Sequence, residues 1–130
     1  MTLNEYLAFQ SGRRWRWGAV DCVSFGLDWA REKTGRRLKP LGEWHSETEA
    51  CAMLREGGGL ERIVREWMSA NGFEPTDAPE DGDIGVVPTA IVAGVVSDVA
   101  VMIRCGKWWV GKTPKGIASA DVRRVPAWRI

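Results

Sequence analysis

Apolar positions in the first part of the chain recur at the spacing of an α-helix. Thr2-Leu3-Asn4-Glu5 has the form of a capping box, with a hydroxyl at the N-cap and a carboxylate three residues later, and it predicts a short first helix. After a loop over residues 12–18, one apolar face runs from Cys22 towards Lys33, and Gly35 follows where a left-handed C-cap is expected. These signals predict a second helix that opens at Cys22.

Two further helices are predicted in the middle of the chain. Ser46-Glu47-Thr48-Glu49 is a second capping box, and the helix that it begins should end at the break Gly57-Gly58-Gly59. An amphipathic stretch from Leu60 to Met68 follows, and Asn71-Gly72 is typical of a helix C-terminus.

The pattern changes to short β-rich runs from Gly82 onward, separated by Pro, Gly and Asp residues. Helices first and strands afterwards predict an α+β fold, with the helices packed on a small antiparallel sheet, because a parallel doubly wound sheet would need the two to alternate. A chain of 130 residues is the ordinary size of one domain, so we expect a single domain over residues 1–130. The predicted strands are Ile84–Val87, Ile91–Val96, Val99–Cys105 and Trp108–Val110.

Charge and hydropathy argue against several classes of function. The net charge of +1 provides no overall attraction to nucleic acid or to an anionic membrane. The most hydrophobic run, Ile91 to Ile103, is shorter than the ~20 residues that cross a bilayer and contains Asp98, so no membrane span is predicted. The first residues do not have the pattern of a secretory signal, and we expect the chain to remain in the cytoplasm.

The cysteines and the histidine do not have the pattern of a metal site. Cys22, Cys51 and Cys105 lack the paired spacing of zinc ligands, and His45 is the one histidine of the chain. No metal, cofactor or disulfide framework is predicted.

Basic and aromatic residues interleave in Arg13-Arg14-Trp15-Arg16-Trp17, as in a surface that stacks the bases of a single strand. The alternative is a loop whose tryptophans pack on the domain while the arginines remain in water. The nearly neutral net charge favours the loop, and no nucleic-acid partner is predicted.

Cys22 is the candidate nucleophile. A cysteine in the first turn of a helix is close to unpaired backbone N–H groups and to the positive end of the helix dipole, which favour the thiolate. Asp21 is the expected N-cap. The structural alternative is a packing residue, because cysteine is among the most commonly buried residues.

Three stretches, taken in order, resemble the NlpC-type cysteine peptidases, which have a papain-like fold. In that family the nucleophile lies in a Gly-x-x-Asp-Cys segment at a helix start, a Gly-Asp turn opens the first core strand, and the catalytic histidine starts the next strand. The resemblance implies Cys22 as nucleophile and the backbone N–H groups near it as an oxyanion hole. The matching stretches are Trp17–Phe25, Gly82–Val87 and Asp98–Gly106.

The whole chain is similar to a short family found beside tail genes of phages and prophages. That family has a Trp-x-Trp-Gly-x-x-Asp-Cys start and an Ala-Trp-Arg-Ile finish, which Trp15 to Cys22 and Ala127 to Ile130 match. The resemblance implies a role in virion assembly, other tail or tail-tip proteins as partners, and the virion tail as a further location.

The main departure from the peptidases is Asp98, which occupies the position of the strand-initial histidine. An aspartate with an unperturbed pKa near ~3.9 is ionised at neutral pH, so it can neither stabilise a thiolate as a cation nor protonate a leaving amine. His45 is the only alternative base, and it lies in a connection far in sequence from the strands. Asp83, in the Gly-Asp segment, is assigned to stabilising its own turn rather than to catalysis.

The chain contains 8 tryptophans, and aromatic anchors with arginine are typical of the central contacts of protein interfaces. Trp15, Trp17, Trp108 and Trp109, together with Asp21, are the candidate binding residues. Trp108 and Trp109 are adjacent on a predicted strand and cannot both face inward.

The favoured hypothesis is a structural or assembly component of a phage-type tail, built on a degenerate NlpC-like fold without the catalytic histidine. The rival is an active cysteine amidase or endopeptidase that acts on peptidoglycan, with Cys22 as nucleophile and His45 as base. A nucleic-acid binder is a weaker third alternative.

Overall fold

The computed structural model describes residues 1–92 and 95–130. Within them the chain forms four helices followed by five strands, which confirms the predicted α+β class. The helices are α1 (Leu3–Ser11), α2 (Cys22–Thr34), α3 (Glu47–Gly57) and α4 (Leu60–Ala70). The strands are β1 (Ile84–Val92), β2 (Val95–Cys105), β3 (Trp108–Thr113), β4 (Gly116–Ala120) and β5 (Ala127–Trp128).

The helix boundaries follow the capping signals in the sequence. The Thr2 and Glu5 pair forms a complete capping box on α1, and Gly35 ends α2 in the left-handed conformation at φ 64°. The box predicted for α3 is only half formed. Ser46 accepts the backbone N–H of Glu49, but the Glu49 carboxylate accepts the N–H of His45, one residue before the N-cap.

The five strands form one antiparallel sheet in the order β4-β3-β2-β1-β5. The prediction of a separate strand over Ile91–Val96 is wrong, because Ile91 and Val92 end β1 while Val95 and Val96 begin β2. The part of that prediction on residues 93–94 lies outside the described residues. Strands β4 and β5 were not predicted, since each is short and is fixed by pairing with a neighbouring strand.

Side chains pack on both faces of the sheet. On one face, the four helices cover a large apolar core that includes Phe25, Val101 and Ile103. Helix α2 lies close to β2, since a Cβ on Gly26 would collide with the Val101 side chain. On the other face, a smaller cluster forms around Trp109. The first face places the start of α2 against the sheet, and this junction contains the candidate site.

Candidate functional site

The candidate site begins with a tight turn before α2. The backbone N–H of Arg16 donates to the Val20 carbonyl at 2.9 Å, and the Val20 N–H donates to the Arg16 carbonyl at 2.8 Å. The buried Asp21 carboxylate then accepts three hydrogen bonds: from the Ser24 backbone N–H at 2.8 Å, from the Gly18 N–H at 2.7 Å and from the Trp44 indole at 2.7 Å. The predicted N-cap is therefore confirmed, and the same carboxylate also holds the preceding loop and a tryptophan from elsewhere in the chain.

Gly18 is required by this arrangement. Its φ of 79° lies in the left-handed region, and a Cβ there would collide with the carbonyl oxygen of Trp44. The Trp-Gly-x-x-Asp-Cys segment is thus a structural unit. Its glycine leaves the space that the Trp44 backbone fills, and its aspartate accepts a hydrogen bond from the Trp44 side chain.

Cys22 is the first residue of α2, and its thiol is partly buried against the sheet. Burial is the largest influence on its pKa, which is raised to about 11, and the carboxylates of Asp21 and Asp98 raise it further. The backbone N–H groups of Val101 and of Cys22 itself act in the opposite direction but do not outweigh burial. The thiol is therefore held in the protonated, unreactive form at neutral pH.

A cavity of about 400 Å³ lies beside Cys22. Its walls are mostly apolar and come from the loop before α2, from α3 and α4, and from the sheet. Trp15, Trp17 and Trp44 contribute aromatic surface, while Asp98 and Lys112 contribute charged groups. Such a concave apolar site with a few polar groups is typical of a binding pocket.

Asp98 and Cys22 line the same cavity, as expected from the resemblance. The expectation that residue 98 starts a strand is wrong, because Asp98 lies inside β2 and pairs with Ala90 of β1 across an irregular register. The hairpin extends past Asp98 because β-branched residues continue along both strands. The Asp98 carboxylate is exposed and accepts the backbone N–H of Val99 at 2.9 Å.

His45 lies away from Cys22. Its side chain is 69% exposed, its Nε2 lies 3.3 Å from a Glu43 carboxylate oxygen, and it is not part of the cavity lining. The adjacent Trp44 occupies the inward position in this extended segment, so the imidazole faces solvent. Among the described residues, no imidazole approaches the Cys22 thiol, and the rival assignment of His45 as base is not supported by the geometry.

The four tryptophans selected from the sequence have different environments. Trp15 and Trp17 are partly buried and pack edge to face, with ring centroids 5.2 Å apart. Trp108 is 42% exposed, whereas Trp109 is 1% exposed. The prediction that Trp108 and Trp109 cannot both face inward is confirmed. Trp109 packs in the cluster on the face of the sheet opposite the helices, away from the Cys22 cavity.

The Arg13–Trp17 cluster has the arrangement of a loop that packs its tryptophans on the domain and leaves arginines in water. Its tryptophans face the cavity, while Arg14 and Arg16 are exposed and the Arg13 guanidinium lies over the Phe9 ring at 5.4 Å. The tryptophan rings therefore pack against each other and line the cavity, rather than standing out from the domain beside the arginines.

Asp83 has a larger structural role than the turn predicted for it. Its fully buried carboxylate accepts the Glu80 backbone N–H at 2.8 Å, which closes the turn, and also the Arg129 Nε at 2.9 Å and the Ile130 N–H at 3.1 Å. It is therefore a buried anchor for the segment after β5 rather than a catalytic acid.

Trp44 and Lys112 are the site residues that the sequence did not indicate. Lys112 is 3% exposed, and its ammonium donates to the carbonyls of Gln10 at 2.9 Å and of Arg13 at 2.6 Å. No local pattern marks either residue, since both contacts join distant parts of the chain.

The described residues contain no group of three or more potential metal ligands. The three cysteines are free thiols. In the same part of the chain, none of the helices is both long and apolar enough to span a bilayer.

Comparison with known proteins places the whole chain in one family. No curated protein and no solved structure matches the chain. A family model described as a domain of unknown function, DUF6950, matches residues 1–130. The chain therefore belongs to the DUF6950 family.

Proposed function

We propose that this chain is a non-enzymatic structural or assembly component of a phage-type tail, built on a degenerate NlpC-like cysteine peptidase fold. One observation carries the non-enzymatic part of the proposal. The Cys22 thiol has a pKa raised to about 11, and the described groups that face it include two carboxylates but no imidazole. A Cys-His hydrolase needs the opposite electrostatic environment.

The degenerate fold is supported by the position of Cys22 relative to the sheet. The cysteine opens α2, which packs on the antiparallel strand β2, and the Gly82-Asp83 turn precedes β1. This is the order of elements that the resemblance to the peptidases implies. An ancestral nucleophile position that retains its cysteine but lacks a base is consistent with a domain that has kept the scaffold for binding.

The tail assignment rests on the resemblance of Trp15 to Cys22 and Ala127 to Ile130 to the phage-associated family. The structure supplies a reason for those motifs to persist without catalysis. Gly18 and Asp21 hold Trp44 in place, and Arg129 is bound by Asp83, so both motifs stabilise the fold itself.

Hydrolase activity can be tested with purified protein and muropeptides, by chromatography of the products. We expect no cleavage by the wild-type chain, and the same null result from Cys22→Ala and His45→Ala. Cleavage by the wild type that disappears in both variants would instead establish the peptidoglycan hydrolase.

Tail function can be tested in a phage or prophage that encodes the chain. Removal of the gene should prevent complete tails from forming, and a Cys22→Ala copy should restore them as well as the wild type does. Normal tails without the gene would contradict the tail assignment. Restoration by the wild type alone would contradict the non-enzymatic part.

A further inference from the structure

A second cavity, of about 1070 Å³, is separate from the Cys22 cavity and shares no lining residue with it. The buried Trp109 lies at this groove, and the segment between β4 and β5 forms one wall. We call it the basic groove, because four of its lining residues are cationic. These are Arg104, Lys107, Arg123 and Arg124.

Within residues 1–92 and 95–130, none of the four cations forms an ion pair. Asp77 and Asp121 also line the groove, yet among the described residues none of the four cations lies within ion-pair distance of a carboxylate. Four unpaired cations around one concavity attract an anion, because field lines concentrate in a cleft with low-dielectric walls.

The Arg104 guanidinium is held in place before any ligand arrives. It lies over the Trp109 ring at 5.3 Å, and its Nε donates to the Gly106 carbonyl at 2.7 Å. No described acceptor occupies its two terminal nitrogens. A planar guanidinium fixed in this way can bind a carboxylate through two parallel hydrogen bonds without a large loss of side-chain entropy.

The opposite wall carries backbone strain. Arg124 has φ 57°, the one non-glycine residue with positive φ in the described part of the chain. A left-handed conformation costs an arginine roughly 1 kcal/mol, and such strain often accompanies a functional position. Arg124 belongs to the segment between β4 and β5, and the end of this segment is fixed because the Val86 N–H donates to the Pro126 carbonyl at 2.9 Å.

We propose that the basic groove binds an acidic segment of a protein partner, whose carboxylates pair with Arg104, Arg123 and Arg124. A protein segment fits better than a nucleic acid, because Val122, Val125 and Pro126 place apolar side chains beside the cations. The apolar surface of the groove also matches the mixed composition of protein interfaces. The inference rests on the proposed function in one respect, that the chain acts by binding another protein.

The test uses the full chain and a fluorescently labelled oligoglutamate peptide, with anisotropy as the readout. The double variant Arg123→Gln/Arg124→Asn removes two charges, and asparagine tolerates the left-handed backbone at position 124. The control Arg37→Gln/Arg55→Gln removes the same charge from exposed residues outside the groove. We expect binding that weakens roughly tenfold in the groove variant and is unchanged in the control, because each lost charge-assisted hydrogen bond costs affinity.

Three results would overturn the inference: no binding of oligoglutamate, an equal loss in the control variant, or tighter groove-dependent binding of oligothymidylate than of the peptide. A folded variant is established by an unchanged circular dichroism spectrum and melting temperature. The Cys22 and tail experiments do not depend on this groove, so its failure leaves the proposed function to be judged separately.

Discussion

At the scale of single residues, several effects on the pKa of the Cys22 thiol oppose one another, and burial is the strongest of them. The helix N-terminus and two backbone N–H groups favour the thiolate, whereas burial and two carboxylates favour the neutral thiol. With a pKa of about 11, roughly one thiol in ten thousand is ionised at pH 7. Burial is the largest of these effects, so removing one carboxylate alone should not activate the cysteine.

Alkylation of Cys22 by iodoacetamide should report this pKa directly. We expect the rate at Cys22 to rise about tenfold for each pH unit from pH 7 to 10, without a plateau, because only the thiolate reacts. Mass spectrometry of the Cys22 peptide measures it, with the exposed Cys51 as an internal reference. A plateau reached near neutral pH would show an activated thiol and contradict the interpretation.

Substitution at Asp98 separates the effect of its charge from the effect of an imidazole. Asp98→Asn should raise the alkylation rate only slightly, since burial remains. Asp98→His should raise it further, most clearly below about pH 6.5 where the imidazolium is present and favours the thiolate. Equal rates in the two variants would mean that residue 98 is not placed to act on Cys22.

At the scale of elements, the turn before α2 functions as one unit with the Trp44 segment. The Asp21 carboxylate receives N–H groups from the turn, from the helix and from Trp44, so the helix cap and the loop contact depend on each other. Loss of either part should loosen the cavity wall as well as the helix end.

Gly18→Ala tests this unit, with Gly35→Ala as a matched control. Both glycines have positive φ, but a Cβ at Gly35 meets open space while one at Gly18 meets the Trp44 carbonyl. By urea denaturation, the free energy of unfolding should fall by about 1 kcal/mol in Gly35→Ala, from backbone strain alone. It should fall by about 3 kcal/mol or more in Gly18→Ala. Equal losses would mean that the Trp44 backbone can move away without cost.

At the scale of the whole molecule, buried polar groups join segments that are distant along the chain. Lys112 joins β3 to the end of α1 and the following loop, and Asp83 joins the turn before β1 to the residues after β5. These bonds keep the sheet, the first helix and the last segment in a fixed arrangement around the core.

Asp83→Asn should destabilise the fold strongly, with Asp77→Asn as the exposed control. The amide cannot replace both carboxylate oxygens as acceptors, so buried N–H groups lose their partners, and Arg129 loses the buried one of its two counter-charges. We expect a loss of about 3 kcal/mol in the free energy of unfolding for Asp83→Asn and almost none for Asp77→Asn, measured by chemical denaturation. A small effect at Asp83 would contradict its role as an anchor.

The sequence by itself determined the four helices and the location of Cys22 at a helix start. Those features depend on residues a few positions apart, such as the Asp21 cap and the C-cap at Gly35, whose hydrogen bonds form within one turn of chain. The sequence also established that only one histidine is present, which limits the chemistry available to the thiol.

Only the tertiary structure decided what surrounds that thiol and the basic groove. The inward position of Trp44, the outward position of His45 and the pairing of β4 and β5 depend on contacts between distant segments, which no local pattern specifies. The groove cations, which lie near the β2–β3 turn and in the segment after β4, come together because the sheet brings those segments side by side. Long-range pairing, rather than local propensity, thus fixed the charges and shapes on which the proposals for the Cys22 cavity and the basic groove rest.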